Sequence, residues 1–326
     1  MTTDLDRKIN AILRIISQKS EPIGSADIAK KLKDHGIELS ERAVRYHLKV
    51  MNERGLTKVI WKEGRMITSK GLEELGDALV FDKVGFMSSR IETMAYKMDF
   101  DLENKSGGVI LNLSFFQKKD FKKALGVMAQ VFKSGFATGE LVVVVPEGEK
   151  IGGIIVPPGQ VAFGTLCSIN LNGILTKHSI PIESRFGGIL QIEDERPLRF
   201  TDIINYTGST LDPHEIFLKS RMTSVSAACL GKGKILASLR EIPAASRDEA
   251  EAILRRAESA GLGKAIMIGK AGQTILGVPV GLERVGIVIP GGLNPVAAAE
   301  ESGIVTESKA LVSIIDYDKL ISFWDL

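Results

Sequence analysis

The chain has 326 residues, 44% of them hydrophobic and 25% charged, which is ordinary globular composition and enough length for two or three domains. No stretch approaches the roughly 18 apolar residues of a membrane span, and the acidic, polar start MTTDLDRKIN lacks the apolar core of a signal or transit peptide, so a cytoplasmic protein is expected. The net charge of +2 is uneven: the first 80 residues hold 15 Lys and Arg against 12 Asp and Glu, leaving 27 against 28 for the rest, the asymmetry expected if only the first segment meets phosphate.

The first segment reads as helices. Leu5, Ile9, Ile12, Leu13, Ile15 and Ile16 recur mostly at helical spacing, and Pro22 and Gly24 end that run. Ser25 is expected to cap a short second helix that stops at Gly36. Ser40 is expected to cap a third, Glu41 to Arg54, closed by Gly55. Val44, Leu48 and Met51 form the inward face of the third helix, leaving Arg42, Arg45, Tyr46 and Lys49 on other faces. Two short strands around Lys62–Arg65 then form a wing with Arg65 at its tip, and Ser69 caps a fourth helix to about Val80, whose Leu72, Leu75 and Leu79 pack back on the bundle or pair with a second subunit. This order is that of a winged helix-turn-helix. It places the third helix in the major groove and the wing on backbone or minor groove, with Ser40, Arg42, Arg45, Tyr46, Lys49 and Arg65 as DNA contacts. The plainer alternative is a solvated basic face on a protein–protein adaptor.

From residue 82 glycine and valine become frequent and short β-rich runs alternate with helices, so domains of 1–81 and 82–326 are expected, the second α/β. It carries a degenerate internal repeat, approximately 106–200 and 231–326. Gly108–Leu113 aligns with Gly233–Ser238, and a helix follows each, Asp120 to Lys133 and Arg247 to Ala260. Gly153-Ile-Ile-Val-Pro-Pro-Gly159 aligns with Gly286-Ile-Val-Ile-Pro-Gly-Gly292, and Gly173–Thr176 with Gly303–Thr306. Buried strands are expected at Leu141–Val145 and Ile151–Val156, and a ligand pocket between the two pseudo-symmetric halves. No Walker motif or dinucleotide fingerprint is present, so no nucleotide cofactor is expected.

Two cysteines, Cys167 and Cys229, and four histidines, His35, His47, His178 and His214, are scattered, which implies neither a disulfide framework nor a metal site. The densest polar clusters are Cys167-Ser-Ile-Asn-Leu-Asn-Gly173 and Pro181-Ile-Glu-Ser-Arg-Phe-Gly-Gly188. Arg185 is the candidate for gripping a carboxylate, because a guanidinium makes two parallel hydrogen bonds to it; Thr165, Cys167, Ser168, Asn172, Gly173, Gly187 and Gly188 complete the candidate effector site. An ion pair of Arg185 with Glu183 or Glu193 is the competing reading. An enzyme would use Cys167 with His178, or His214 with Asp212, but neither pair sits in a catalytic motif, and no catalytic residue is assigned.

Val161–Gly173 and Ser184-Arg-Phe-Gly-Gly188, joined to this winged helix, resemble the NrpR family of archaeal nitrogen-assimilation repressors over essentially the whole chain. The resemblance implies a winged helix with an NrpR regulatory domain. It further implies a homodimer or higher homo-oligomer on a double-stranded operator, released by 2-oxoglutarate, a dicarboxylate suited to Arg185 and neighbouring amides. Some members carry two regulatory domains in tandem, whereas the length here allows one.

Overall fold

Ile9, Ile12, Leu13 and Ile16 recur every three to four residues and all are buried, which makes α1 (Asp4–Ser17) an amphipathic helix with one face in a core. The computed structural model describes residues 4–19, 21–34, 36–77 and 85–326, which fall into two units, Met1–Val84 and Gly85–Leu326. The expected boundary at 81/82, Leu79 and Val80 of the expected fourth helix, and His35 lie outside the described residues.

In the first unit α2 (Ser25–Asp34) and α3 (Glu41–Glu53) bury Ile28, Leu32, Val44, Leu48 and Met51 against α1. Gly36 and Gly55, at φ of +74° and +75°, end these helices in the left-handed region that glycine tolerates. The hairpin β1 (Thr57–Ile60) and β2 (Gly64–Ile67) follows, then α4 (Ser69–Asp77). Ile23 and Arg65 exchange both backbone hydrogen bonds at 3.0 Å, adding a third edge to the hairpin. Gly64 makes that approach possible, since a Cβ there would stand 2.4 Å from the Ile23 carbonyl oxygen. Leu75 packs back on this core, whereas Leu72 is exposed.

Two expected caps are displaced. Ser25 is already inside α2, and its hydroxyl donates to the Glu41 carboxylate at 2.9 Å, while the Gly24 carbonyl takes the first helical bond from the Ile28 amide. For α4 the cap is Thr68, whose Oγ1 accepts from the Gly71 amide at 3.1 Å.

The second unit begins with α5 (Phe86–Lys97) and continues through β3 (Gly108–Gln117), α6 (Lys118–Lys133), β4 (Leu141–Val145), the small hairpin β5 (Lys150–Ile151) and β6 (Ile154–Ile155), β7 (Gln160–Leu166), α7 (Ile169–Lys177), β8 (Glu183–Glu193) and β9 (Arg196–Asn205). Then come α8 (Pro213–Lys219), α9 (Val225–Ala228), β10 (Gly233–Pro243), α10 (Arg247–Ser259), β11 (Met267–Ile268), β12 (Arg284–Pro290), α11 (Asn294–Glu301), β13 (Thr306–Asp316) and β14 (Ile321–Ser322). The larger strands form two five-stranded sheets, β13-β3-β7-β4-β14 and β11-β12-β10-β8-β9, antiparallel throughout.

The two sheets are built alike and exchange strands. β3 pairs with β7 with Leu111 opposite Leu166, and β10 pairs with β12 with Ala237 opposite Pro290. A long strand of each half crosses over: β8, with its hairpin partner β9, lies on β10 of the second half, and β13 on β3 of the first. The helices cross as well, α6 packing on α11 and α10 on α7.

The repeat is therefore real, but the sequence alignment is out of register. Ile151–Val156 is no buried strand: Gly152 and Gly153 at positive φ fold it into the β5–β6 hairpin. The true counterpart of β12 is β7. The misleading match arises because an apolar run followed by Pro and Gly occurs before β7, at Pro157–Gly159, and after β12, at Pro290–Gly292.

Candidate DNA interface and effector site

On α3 the sequence places Val44, His47, Leu48 and Met51 at helical spacing, and all four are buried. The opposite surface holds Arg42, Arg45, Tyr46 and Lys49, all exposed. Ser40 is the N-cap, its hydroxyl accepting from the Ala43 amide at 3.2 Å. Arg45 is not simply solvated: its Nε donates to the Glu41 carboxylate at 3.2 Å and to the Ser25 hydroxyl at 3.3 Å. These contacts, Arg45 first, hold the Glu41 carboxyl below its ordinary range. Lys49 stands 3.9 Å from Glu53.

Arg65 is not at the wing tip. It lies in β2 opposite Val59, and its Nη1 donates to Asn52 Oδ1 on the last turn of α3 at 3.1 Å. The turn between the strands is Trp61-Lys62-Glu63, with Lys62 at φ +60° and Trp61 81% exposed. The expectation failed because the hairpin loop is one step earlier than the basic residue that suggested it.

In the second unit the expected effector residues separate into three groups. Gly173, Gly187 and Gly188 are packing positions. A Cβ on Gly173 would stand 2.4 Å from Met98 Sδ, one on Gly187 2.8 Å from Pro213 Cβ, and one on Gly188 2.7 Å from the Asp202 carbonyl oxygen. Each admits an element of the fold where a ligand was expected.

Arg185 is half exposed and belongs to a ring of alternating charges. Its Nη1 is 3.4 Å from Glu183 and 3.8 Å from Glu241, and Arg284 reaches the same two carboxylates at 3.4 and 3.7 Å. Glu183 and Glu241 face each other directly across β8 and β10; like charges in that position repel, and the two arginines offset this. Of the two acids weighed from sequence, Glu183 is its partner, while Glu193 pairs with Lys232 at 3.0 Å.

The third group surrounds a residue the sequence reading passed over. Arg240, the largest side chain buried in full among the described residues, donates from Nε to Asn172 Oδ1 at 3.0 Å and from Nη2 to Ser168 Oγ at 3.4 Å. Its guanidinium lies 5.5 Å from the Tyr206 ring centroid. Among the described residues no carboxylate forms an ion pair with it. Asn172 in turn donates to Ser184 Oγ at 2.9 Å. Two further hydroxyls, Thr165 Oγ1 in β7 and Ser238 Oγ in β10, are buried without a hydrogen-bond partner among the described residues. The signal for Arg240 was a charge following the apolar run Ile235–Leu239 of β10.

Asn172 and Ser184 also form one wall of a cavity of about 360 Å³, shared with Ser88, Ile91 and Tyr96 of α5 and with Thr207. Glu92 and Glu183 border it too; the second is answered by Arg185 and Arg284. Cys167 and Ser168 instead line a cleft of about 10 Å³ with Asn112, Asp212 and His214, room for roughly one water-sized particle.

Neither cysteine–histidine nor histidine–aspartate chemistry is assembled. Cys167 and His178 flank opposite ends of α7, whose length alone is about 13 Å by helical rise, and burial pushes the Cys167 thiol up to about 12. His214 Nε2 donates to the Ala237 carbonyl at 3.1 Å, while Asp212 Oδ1 caps α8 by accepting from the His214 and Glu215 amides. Burial holds the His214 ring below its ordinary value. Among the described residues no helix is long and apolar enough to cross a membrane.

Together these features define a winged-helix module followed by a duplicated α/β domain with a buried arginine beside a cavity. The family described as NrpR regulatory domains NRD1 and 2 matches residues 84–322, and the Ribonuclease R winged-helix domain matches residues 10–75. The chain is 37% identical over 321 residues to the global nitrogen regulator NrpRI of Methanosarcina mazei, covering 98% of this chain and 99% of that protein. It is 32% identical to the global nitrogen regulator NrpR of Methanococcus maripaludis, covering 95% of this chain but 54% of that one. A crystal structure of a nitrogen repressor-like protein from Methanococcus jannaschii superposes with a TM-score of 0.63 at 28% identity, over 73% of this chain and 98% of that one. The chain belongs to the NrpR family.

Proposed function

We propose that the chain is a cytoplasmic, homo-oligomeric transcriptional repressor that holds nitrogen-assimilation operators and releases them when a small dicarboxylate, 2-oxoglutarate, rises. One observation carries the reading: α3 closes the winged-helix core with one face and presents Arg42, Arg45, Tyr46 and Lys49 on the other. Donors on such a helix suit base edges and phosphates of the major groove. Membership of a family whose relatives are named global nitrogen regulators supports the choice of genes.

The effector belongs in the second unit. A carboxylate in the 360 Å³ cavity would meet Ser88, Ser184, Thr207 and Asn172, with the positive charge of Arg240 directly behind Asn172. A fixed charge in a site with little water acts more strongly than one at the surface. Arg185, paired with Glu183 of the lining, and Ser168, which accepts from Arg240, support the pocket from outside it. Release requires only that the ligand bind the arrangement unfit for DNA more tightly than the competent one.

The test is a mobility shift at fixed salt with DNA from upstream of the chain's own gene and of nitrogen-assimilation genes, with and without 2-oxoglutarate. Specific binding relieved by the ligand is expected. Specific binding indifferent to it discards the effector, and loss of operator preference discards the repressor in favour of an adaptor or an enzyme.

A further inference from the structure

Trp61 is 81% exposed at the wing turn, one of two tryptophans in the chain. An indole is among the larger apolar surfaces a chain can bury, and here the hairpin leaves it in water. Its surroundings are charged, two lysines against the exposed Glu63 of the same turn, and continuous with α3. Lys58 and Lys62 flank it, exposed, and Val59 beside it is 54% exposed. Arg65, opposite Val59, ties this hairpin to Asn52 at the end of α3. Lysines around an exposed aromatic fit a polyanion with flat apolar walls, and a protein surface of mixed charge fits them less well.

We propose that Trp61 reads the minor groove. This rests on the DNA-binding reading above: with α3 in the major groove, the wing lays the indole against the neighbouring minor groove while Lys58 and Lys62 take phosphates on either side. The indole Nε1–H donates and cannot accept. In the minor groove an A·T pair offers only acceptors, whereas a G·C pair adds the guanine amino donor, which opposes the indole N–H. Trp61 therefore selects A·T pairs at the edge of the site, where α3 does not reach.

The experiment uses the full chain and duplex DNA from upstream of its own gene, with a footprint to locate the wing-proximal minor groove. In a Trp324→Phe background Trp61 is the sole indole, and its emission is expected to be quenched on DNA binding. In the otherwise native chain, Trp61→Ala is expected to weaken binding about tenfold. Trp61→Phe keeps the packing but loses the preference for A·T over G·C at those positions. Inosine–cytosine pairs, which present an A·T-like minor groove, are expected to bind the parent chain as A·T pairs do.

Bound DNA with unchanged Trp61 emission, a Trp61→Ala chain that binds as tightly as the parent, or inosine–cytosine pairs treated as G·C would each overturn the proposal while leaving DNA binding intact. Emission that changes with protein concentration and no DNA would assign the indole to a second copy of the chain and also overturn it. Absence of binding by the parent, unchanged in Arg42→Ala, would remove the DNA-binding reading and this inference together.

Discussion

Asn170 and Asn294 make the same grip in the two halves of the regulatory domain. Asn170 Oδ1 accepts from the Ile110 amide at 2.7 Å and its Nδ2 donates to the Ile110 carbonyl at 2.8 Å; Asn294 does this to Leu236 at 2.8 and 2.9 Å. Both side chains are wholly buried at the first turn of a short helix, α7 or α11. Each satisfies the strand residue's amide and adds a second donor to its carbonyl, which also accepts from the backbone amide of Cys167 or Gly291, and a carboxamide is the side chain that donates and accepts at once.

Replacing either asparagine with alanine orphans a buried amide and takes one of two donors from a buried carbonyl. A loss of about 1–3 kcal/mol is expected for each variant, of similar size because the two sites are equivalent. Urea unfolding measures both, and a neutral result at one site would break the equivalence.

Arg240 is expected to tolerate no replacement that keeps only its charge. Lysine has one compact ammonium where arginine spreads Nε and Nη2 between Asn172 and Ser168. Arg240→Lys is predicted to lose about 1–3 kcal/mol of stability and the thermal shift produced by 2-oxoglutarate. A variant with an undiminished ligand shift would remove Arg240 from the effector site.

Thiol chemistry gives a third check. With the Cys167 thiol at about 12 and the half-buried Cys229 also raised by burial, little thiolate exists near neutral pH. An aromatic disulfide reagent at pH 8 should label native Cys167 negligibly and Cys229 slowly, and both at once in guanidinium. Rapid labelling of Cys167 in the folded chain would contradict its burial.

The pH dependence of stability follows from His214. Its folded value is depressed below 6.5 by burial, so between the two values the unfolded chain binds more protons than the folded one. Its contribution is complete above pH 6.5 and declines as pH falls toward the folded value. A melting temperature that drops from pH 7 toward pH 5 is expected, with a shallower drop in His214→Gln. An equal slope in that variant would assign the effect to other groups.

How much of this was legible follows from the kind of signal each feature leaves. The winged helix announces itself locally: Val44, Leu48 and Met51 repeat at helical spacing, and Gly36 and Gly55 mark helix ends. Its caps slipped because Ser25 and Ser69 stand beside the residues that do the work, Gly24 and Thr68, and short-range pattern does not separate neighbours. The repeat was visible as a repeat, yet its register depends on which strand pairs with which, and apolar runs ending in Pro–Gly occur at both ends of equivalent strands. Arg185 looked like the ligand residue because glycines follow it; packing against Pro213 and Asp202 explains those glycines, and Glu183 and Glu241 occupy the guanidinium. Arg240 gave almost no warning, since a charge at the end of a strand usually faces water. Its burial comes from α7 of the other half, which brings Ser168 and Asn172 across from a distant stretch of chain.

The exchange of β8 and β13 sets the order in which this domain is made. The sheet begun by β3 gains its outer strand only when Thr306–Asp316 has been synthesised, so during translation the β3 edge stays open for nearly the length of the domain. Long-range pairing of this kind folds slowly and leaves strand edges able to recruit neighbours. A ribosome that stalls after the second half has begun thus releases a nascent chain whose first sheet is unfinished, a substrate for holding chaperones, and neither half can be expected to persist when expressed by itself.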